Sequence, residues 1–274
     1  MSSAANVPSV SRGSRLPLSV CLLARDEEAE LERCLAALAW ADELVVVVDS
    51  RSRDGTEAVA RRLAHRVETR LYQGDVEQKR YCTGLAKHDW VLIVDPDEVV
   101  PSPLRSSLEA ALQSVDGREE STLPVAYRLN RVTFHLGRWI HHGDFFPDWK
   151  LRLFRRSRAR FVGSDPHGRV EVDGAVASLS GELEHYSYRD LADQVDRIQF
   201  FSEQAAQALA AAGKPARLRD LVLRPPARFL RAYVLKQGFR DGLPGFVIAC
   251  ASAFYVFLKY AKHWERRTVS KASG

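Results

Sequence analysis

From Leu18 to Asp95 the chain changes hydrophobic period again and again. Apolar runs of strand length, SVCLLA, ELVVVVD, VETRLY and WVLIVD, are separated by amphipathic stretches of helix length, EEAELERCLAAL, EAVARRLA and VEQKRYCTGLA. Strands joined in sequence through helices lie parallel, with right-handed crossovers and helices on both faces. The expected fold class is therefore α/β, a mostly parallel Rossmann-like sheet flanked by helices. Runs as continuous as ELVVVVD fit strands buried on both sides.

In such sheets ligands bind outside the carboxyl ends of the strands, so the residues just after each strand carry the functional information. After the first comes Arg25-Asp26-Glu27, after the second Asp49-Ser-Arg-Ser-Arg-Asp-Gly-Thr56, and after WVLIV the run Asp95-Pro-Asp97-Glu98. Three acidic clusters thus converge on one edge. Asp26 or Asp54 can act simply as helix caps, and Gly55 and Thr56 add turn chemistry around Asp54. Asp95 and Asp97 together exceed what one cap requires, and Glu98 is a candidate for that cap. Like charges so close disfavour ionisation unless a cation joins them, which points to a metal ion. Neither a GxGxxG nor a GxxxxGK[ST] motif is present, so bound phosphates would be neutralised by Arg, Lys and a metal. Mg²⁺ or Mn²⁺ suits one or two carboxylates plus phosphate oxygens.

The 274 residues, 46% hydrophobic and 27% charged, suffice for one large domain with a helical appendage. A formal charge of +5 calls for an anionic partner. The four cysteines form no CxxC pair, which argues against a zinc site or a disulfide framework and suits a reducing, cytosolic setting. Residues 1–15 read as a disordered lead-in without a secretory apolar run.

In order and separation, LLARDEE, ELVVVVDSRSRDGT, VEQKRY and WVLIVDPDE resemble family 2 glycosyltransferases of the GT-A fold. FFPDWKLRLFRR, DPHGRVEVDG, HYSYRDL and GFRDGLPGF are similar to the branch typified by the lipopolysaccharide core β-1,4-glucosyltransferases. The resemblance implies a GT-A domain over 16–186 and inverting transfer from a nucleotide diphosphate-sugar, UDP by family habit. It implies that Asp49 recognises the nucleoside and that Asp26 and Glu27 lie at the base-contacting turn. Asp95 and Asp97 would occupy a DxD-like motif, Asp97 holding the Mn²⁺ or Mg²⁺ and Asp95 facing the ribose or metal-bound water. Arg51 stands where relatives often have glycine; it can pair with Asp54, reach a phosphate or remain solvated.

An inverting enzyme also needs cations for the departing diphosphate and a base for the acceptor hydroxyl. Lys79, Arg152 and Arg155 are candidate cations, the last two on LRLFRR, which alternates like an edge strand. Asp148, and Asp165 with His167, are candidate bases, although Asp165-Pro-His167 is equally good turn chemistry. Relatives often carry an acid directly after this histidine, where the present chain has Gly168. His135, His141 and His142 suit acceptor contact or plain packing.

Residues 187–274 read as a helical, membrane-associating extension. RLRDLVLRPPARFLRAYVLKQGFRDG mixes Arg and Lys with Leu, Phe and Tyr, and serves either an anionic lipid surface or the outer face of packed helices. The apolar segment 242–258 is at the lower limit for crossing a bilayer, with Lys259, Lys262, Trp264, Arg266 and Arg267 positioned for headgroups. Basic residues beside such apolar stretches favour lipid over nucleic acid. The expected activity is hexosyl transfer to a lipid-linked or lipopolysaccharide-type saccharide by an enzyme peripheral on the cytoplasmic face of the inner membrane. The alternatives are a non-catalytic nucleotide-sugar or lipid binding protein and a sugar nucleotidyltransferase.

Overall fold

The computed structural model describes residues 17–113, 123–163, 168–215 and 217–272. The expected lead-in over 1–15, Asp165 and His167 lie outside the described residues. The alternation read from the sequence appears as β1 (Leu18–Ala24), α1 (Glu28–Ala37), β2 (Glu43–Asp49), α2 (Thr56–Leu63), β3 (Arg66–Arg70), α3 (Asp75–Gly84) and β4 (Trp90–Ile93). Beyond it come β5 (Glu98–Val99), α4 (Ser102–Gln113), β6 (Ala126–His135), β7 (Arg138–Ile140), β8 (Asp148–Arg155), β9 (Ala159–Val162), β10 (Arg169–Val172) and β11 (Val176–His185). Among the described residues one sheet has the order β3-β2-β1-β4-β8-β6-β11-β5, with β7 beside β6, and β9 and β10 form a separate ribbon. β3, β2, β1 and β4 are mutually parallel, and β8 joins β4 antiparallel.

β8 is not the edge strand its alternation suggests, since it lies between β4 and β6. Leu153 and Phe154 point to opposite faces and both are fully buried, opposite Leu92 and Val91. A strand with apolar contacts to make on both sides belongs inside a sheet.

The chain divides into two compact units, one of residues 1–129 and 151–181, the other of 130–150 and 182–274. In the first, Cys21, Val45, Val47, Val91, Ile93 and Phe154 face one side of the sheet, where Cys82, Tyr81 and Leu85 of α3 and its C-terminal turn cover them. The alternate residues Val20, Leu22, Val46 and Leu92, also buried, face the other way. Burial on both faces holds the parallel strands in register and fixes where their carboxyl ends emerge.

The second unit is largely helical: α5 (Leu191–Ala211), α6 (Leu218–Val222), α7 (Arg224–Leu230) and α8 (Gly242–Ala272). Asp190 caps α5 by accepting from Asp193 N–H at 2.8 Å, and Gly213, at φ +63°, lies just past its C-terminus. GFRDGLPGF forms the junction into α8. A Cβ on Gly245 would collide with the Gly238 carbonyl oxygen, so the close backbone approach demands glycine. Asp241, buried in this junction, accepts from His142 N–H at 2.8 Å, while its carbonyl accepts from Arg138 Nη1 at 3.1 Å.

Candidate active site

The first acidic turn, after β1, is locked to the second, after β2, by its own acids. Asp26, at φ +52°, accepts from Arg53 N–H at 2.7 Å, and its N–H donates to Ser52 Oγ at 3.0 Å. Asp54 accepts from Glu28 N–H at 3.1 Å and Thr56 N–H at 3.0 Å, the first residues of α1 and α2. The capping role therefore belongs to Asp54, which serves two helices at once. These contacts fix the edge without consuming the acids at the ends of β2 and β4.

Asp49 ends β2 as a buried carboxylate. Arg51 Nη2 lies 2.6 Å from its Oδ2, Arg51 Nε is 3.1 Å from both oxygens, and Arg25 Nη1 is 3.8 Å from Oδ2. The Arg51 hydrogen bonds outweigh burial and hold the carboxyl at about 2. Arg51 thus pairs with Asp49 and not with Asp54, the partner that sequence proximity allows. It does so because Asp54 is already taken by helix N–H groups, while Asp49 is the nearby carboxylate that burial leaves in need of a cation.

The turn after β4 closes on itself. Glu98, fully buried, accepts from Asp95 N–H at 2.9 Å through Oε2, and its own N–H donates to the Asp95 carbonyl at 2.9 Å. Arg152 Nη2 reaches Glu98 Oε1 at 2.6 Å and Asp95 Oδ2 at 2.5 Å. Burial opposes the Arg152 charge, but the two carboxylates hold the guanidinium protonated. Arg152, a candidate for donor phosphate, is in this structure the buried clasp of the acidic turn. Its Nε, also buried, has no hydrogen-bond partner.

Behind and beside this turn the field remains negative. Burial raises the Cys34 thiol, Glu98, Asp95 and Asp97 raise it further, and its Sγ lies 3.7 Å from the Asp95 carbonyl. Burial lifts Glu27 to about 7, and Asp97 and Asp95 add to the rise against a lowering hydrogen bond from Arg25 N–H. Carboxylates gathered at one strand end fit a divalent cation, and their donors are the hard oxygens that Mg²⁺ and Mn²⁺ prefer. Asp97 and Asp95 are the carboxylates of this turn that could hold such an ion, Asp95 while also paired with Arg152. Among the described residues no three His, Cys, Asp or Glu side chains form a complete cage. Such an ion would take further ligands from elsewhere.

The remaining candidates meet different fates. Lys79 pairs with Asp75 at 2.9 Å along α3. Arg155 is opposite Trp90, at the amino end of β4, with its guanidinium 5.4 Å from the Trp90 ring centre. The acids emerge at the other end of that strand, so the structure does not bring Arg155 to them; β8 runs antiparallel to β4, so only its earlier residue, Arg152, arrives. Gly168 explains the missing acid after His167. A Cβ there would collide with Val76 Cγ2, and a β-branched side chain turns aside only with difficulty.

Asp148 belongs to the second unit, where it is held by Arg131 Nη2 at 2.7 Å and Lys150 Nζ at 2.9 Å. Burial pushes its pKa up, but Arg131 and Lys150 win and keep it below the usual carboxylate value. Both oxygens are thus engaged. His135 is packed: buried, hydrogen-bonded to Gln194 Oε1 at 3.0 Å, its ring 4.9 Å from Tyr188. His142 Nδ1 is 3.2 Å from Asp241 and His141 Nε2 is 3.3 Å from Glu182, so the adjacent histidines serve different partners.

A parallel sheet with an acidic carboxyl edge, extended by antiparallel strands, defines the class of α/β domain, and comparison with known proteins gives it a family. The profile of Glycosyl transferase family 2 matches residues 19–170, and the chain belongs to that family. It is 29% identical to the lipopolysaccharide core biosynthesis glycosyltransferase LpsC of Rhizobium meliloti (strain 1021), over 93% of this chain and 94% of that one. An uncharacterized glycosyltransferase of Rickettsia typhi is 28% identical over 89% of this chain and 86% of its own length. Among solved structures, the mannosyltransferase PcManGT from Pyrobaculum calidifontis, in complex with GDP-Man and Mn²⁺, superposes with a TM-score of 0.52. It is 16% identical and covers 92% of this chain and 88% of that one, a likeness that establishes the GT-A fold. The protein is a glycosyltransferase.

Proposed function

We propose that the chain transfers a hexosyl group from a nucleoside diphosphate-sugar, with UDP as the nucleotide, to a lipid-linked or lipopolysaccharide-type saccharide, with inversion at the anomeric carbon. The observation that carries the donor half is the acid edge itself, where Asp49, Asp95 and Asp97 follow the parallel strands β2 and β4 at the same end of the sheet. A Mn²⁺ or Mg²⁺ ion, when bound, would supply positive charge against the diphosphate. The acceptor half is supported by the role of LpsC in lipopolysaccharide core biosynthesis.

In the reaction the acceptor oxygen forms a bond to the anomeric carbon while the bond from that carbon to the diphosphate oxygen breaks. The electron pair leaves on the nucleoside diphosphate and the acceptor proton passes to a base. Asp97, with Asp95 beside it, would hold the cation, Arg152 keeps Asp95 and the turn in place, and Asp49 with Arg51 faces the nucleoside. Asp165 and His167 remain the proposed base region, since Asp148 has both oxygens in ion pairs. The enzyme is proposed to work at the cytoplasmic face of the inner membrane.

A second reading, nucleotide-sugar binding without turnover, draws on the occupation of Asp49 by Arg51. One experiment separates the two: donor hydrolysis and thermal stabilisation across UDP-, GDP-, ADP- and dTDP-sugars, with Mn²⁺, Mg²⁺ or EDTA, on wild type and Asp97→Asn. Metal-dependent hydrolysis of one donor, lost in the variant, supports transfer. Stabilisation by a donor without turnover, also when lipid-linked acceptor is added, supports the binding reading.

A further inference from the structure

In the second unit, apolar side chains that a water-soluble surface would cover are left outside. Leu218, Leu223, Leu235 and Leu243 are 74%, 62%, 76% and 73% exposed, and Val222, Leu230, Val234 and Phe239 are at least half exposed. Along α8 the exposed positions Leu243, Phe246, Cys250, Phe254, Phe257 and Trp264 recur at spacings of three, four and seven, which places them on one stripe of the helix. The two sets join through aromatic contacts: Phe246 packs against Phe229 and Tyr233, and Tyr233 against Phe239. Exposed cations, Arg217, Arg219, Arg231 and Arg240, are interleaved with these side chains.

By length and composition the helix ending in this region could cross a membrane. Its other side argues against crossing. Lys262 Nζ donates to Gln199 O and Ser202 Oγ, both at 2.9 Å, and buried His263 is 3.0 Å from the Lys214 carbonyl. Arg266 pairs with Glu203 of α5. A spanning α8 would strip these polar groups of the partners they have on α5 and at Lys214, which is costly. A helix with one apolar stripe, one bonded polar side and flanking arginines lies in the plane of a bilayer interface.

We propose that the apolar side chains of 218–239 and the outward stripe of α8 form one monotopic face that sinks into the surface of an anionic phospholipid bilayer, with α8 parallel to the membrane. The arginines select the anionic lipid, each adding attraction that salt screens. This deepens the glycosyl-transfer reading by giving the surface where a lipid-linked acceptor would stand. Its test requires no turnover.

Cys250 lies exposed on the stripe, whereas Cys21, Cys34 and Cys82 are buried, so a thiol-reactive, polarity-sensitive dye will report from this face of the unaltered chain. The labelled protein is mixed with phosphatidylcholine vesicles, with or without an equal part of phosphatidylglycerol, and unlabelled protein is floated with the same vesicles. The expected result is flotation with the anionic vesicles that weakens with salt, together with a blue shift of the dye. Nitroxides near the headgroup should quench the dye more than nitroxides at the acyl-chain end. Leu223→Asp with Leu235→Asp, positions too exposed to disturb the fold, should lower vesicle affinity by about tenfold or more, whereas Leu71→Asp in the first unit should leave it unchanged. Stronger quenching by the chain-end nitroxide would show a spanning helix and overturn the in-plane placement. Absence of any shift, equal flotation of the folded double variant, or a stable dimer that occludes Cys250 would overturn the lipid face. Donor hydrolysis measured in parallel tells failure of this inference from failure of the transferase reading.

Discussion

The two units solve opposite problems with the same kinds of residue. In the first, apolar side chains are gathered inside and charge is crowded at the end of the sheet, where buried carboxylates at positions 49 and 98 are each matched by an arginine. In the second, carboxylates such as Asp144 and Asp241 are buried against Arg228, Lys236 and His142, and the apolar side chains are turned outward. Among the described residues, Leu71, Tyr72 and Val176 are the large exposed apolar side chains of the first unit, and the second carries all the others. The difference teaches that burial of charge and exposure of apolar surface mark function in different ways. An acid edge suits a cationic ligand, and an apolar face suits a nonaqueous neighbour.

The largest expected effect tests the acid edge. Asp97→Asn should lower metal-dependent donor turnover by roughly 10²–10³-fold with little change in melting temperature, measured by product release and calorimetry. A variant with undiminished turnover would remove Asp97 from the chemistry. Next comes the clasp. Arg152→Met leaves Asp95 and Glu98 facing each other without their cation, and loss of one partner of a buried pair costs about 3–5 kcal/mol. Denaturant unfolding should show that loss, and the contrast with Leu235→Asp, which should leave stability nearly unchanged, is the sharpest check on the comparison of the units.

Smaller effects are expected around Asp49. Arg51→Gly uncovers the carboxylate, so the donor KM should shift while kcat moves less; an unchanged KM for every donor tested would show that Arg51 plays no part in nucleoside recognition. Because the folded pKa of Asp49 lies below its ordinary 3.8, at about 2, this group contributes stability that is fully present above 3.8 and is lost as pH falls toward 2. Acid titration of Asp49→Asn should therefore give a flatter stability curve in that window than wild type, with the two curves parallel above it.

Much of the first unit is legible in the sequence because its information is local. The unbroken apolar run in ELVVVVD and the helical period in EAELERCLAA are written within a few residues, and a parallel sheet puts the residues after each strand on one edge. The placement of Asp26, Asp49, Asp95 and Asp97 on that edge needs nothing more. The alternation of β8 suggests an edge strand wrongly, because alternation describes one face at a time and cannot say whether a second strand lies on each side. For the same reason Arg152 reads as a cation for the departing diphosphate, when sheet order makes it the buried partner of Asp95 and Glu98. Gly168 is visible as a departure, but the Val76 methyl that occupies its side-chain space comes from a helix about ninety residues earlier.

The sequence by itself determined the strand and helix order from Leu18 to Asp95, the family and the acid-bearing edge, since periodicity, turn residues and carboxylates after strands act through neighbours in the chain. Tertiary structure alone decided which cation meets which acid: Arg51 with Asp49, Arg152 with Asp95 and Glu98, and Arg131 with Asp148. It also decided which side of the C-terminal helices is left bare. An amphipathic pattern states that a helix has an apolar face, but whether another helix or a lipid surface covers that face depends on three-dimensional packing, to which residues far apart in sequence contribute.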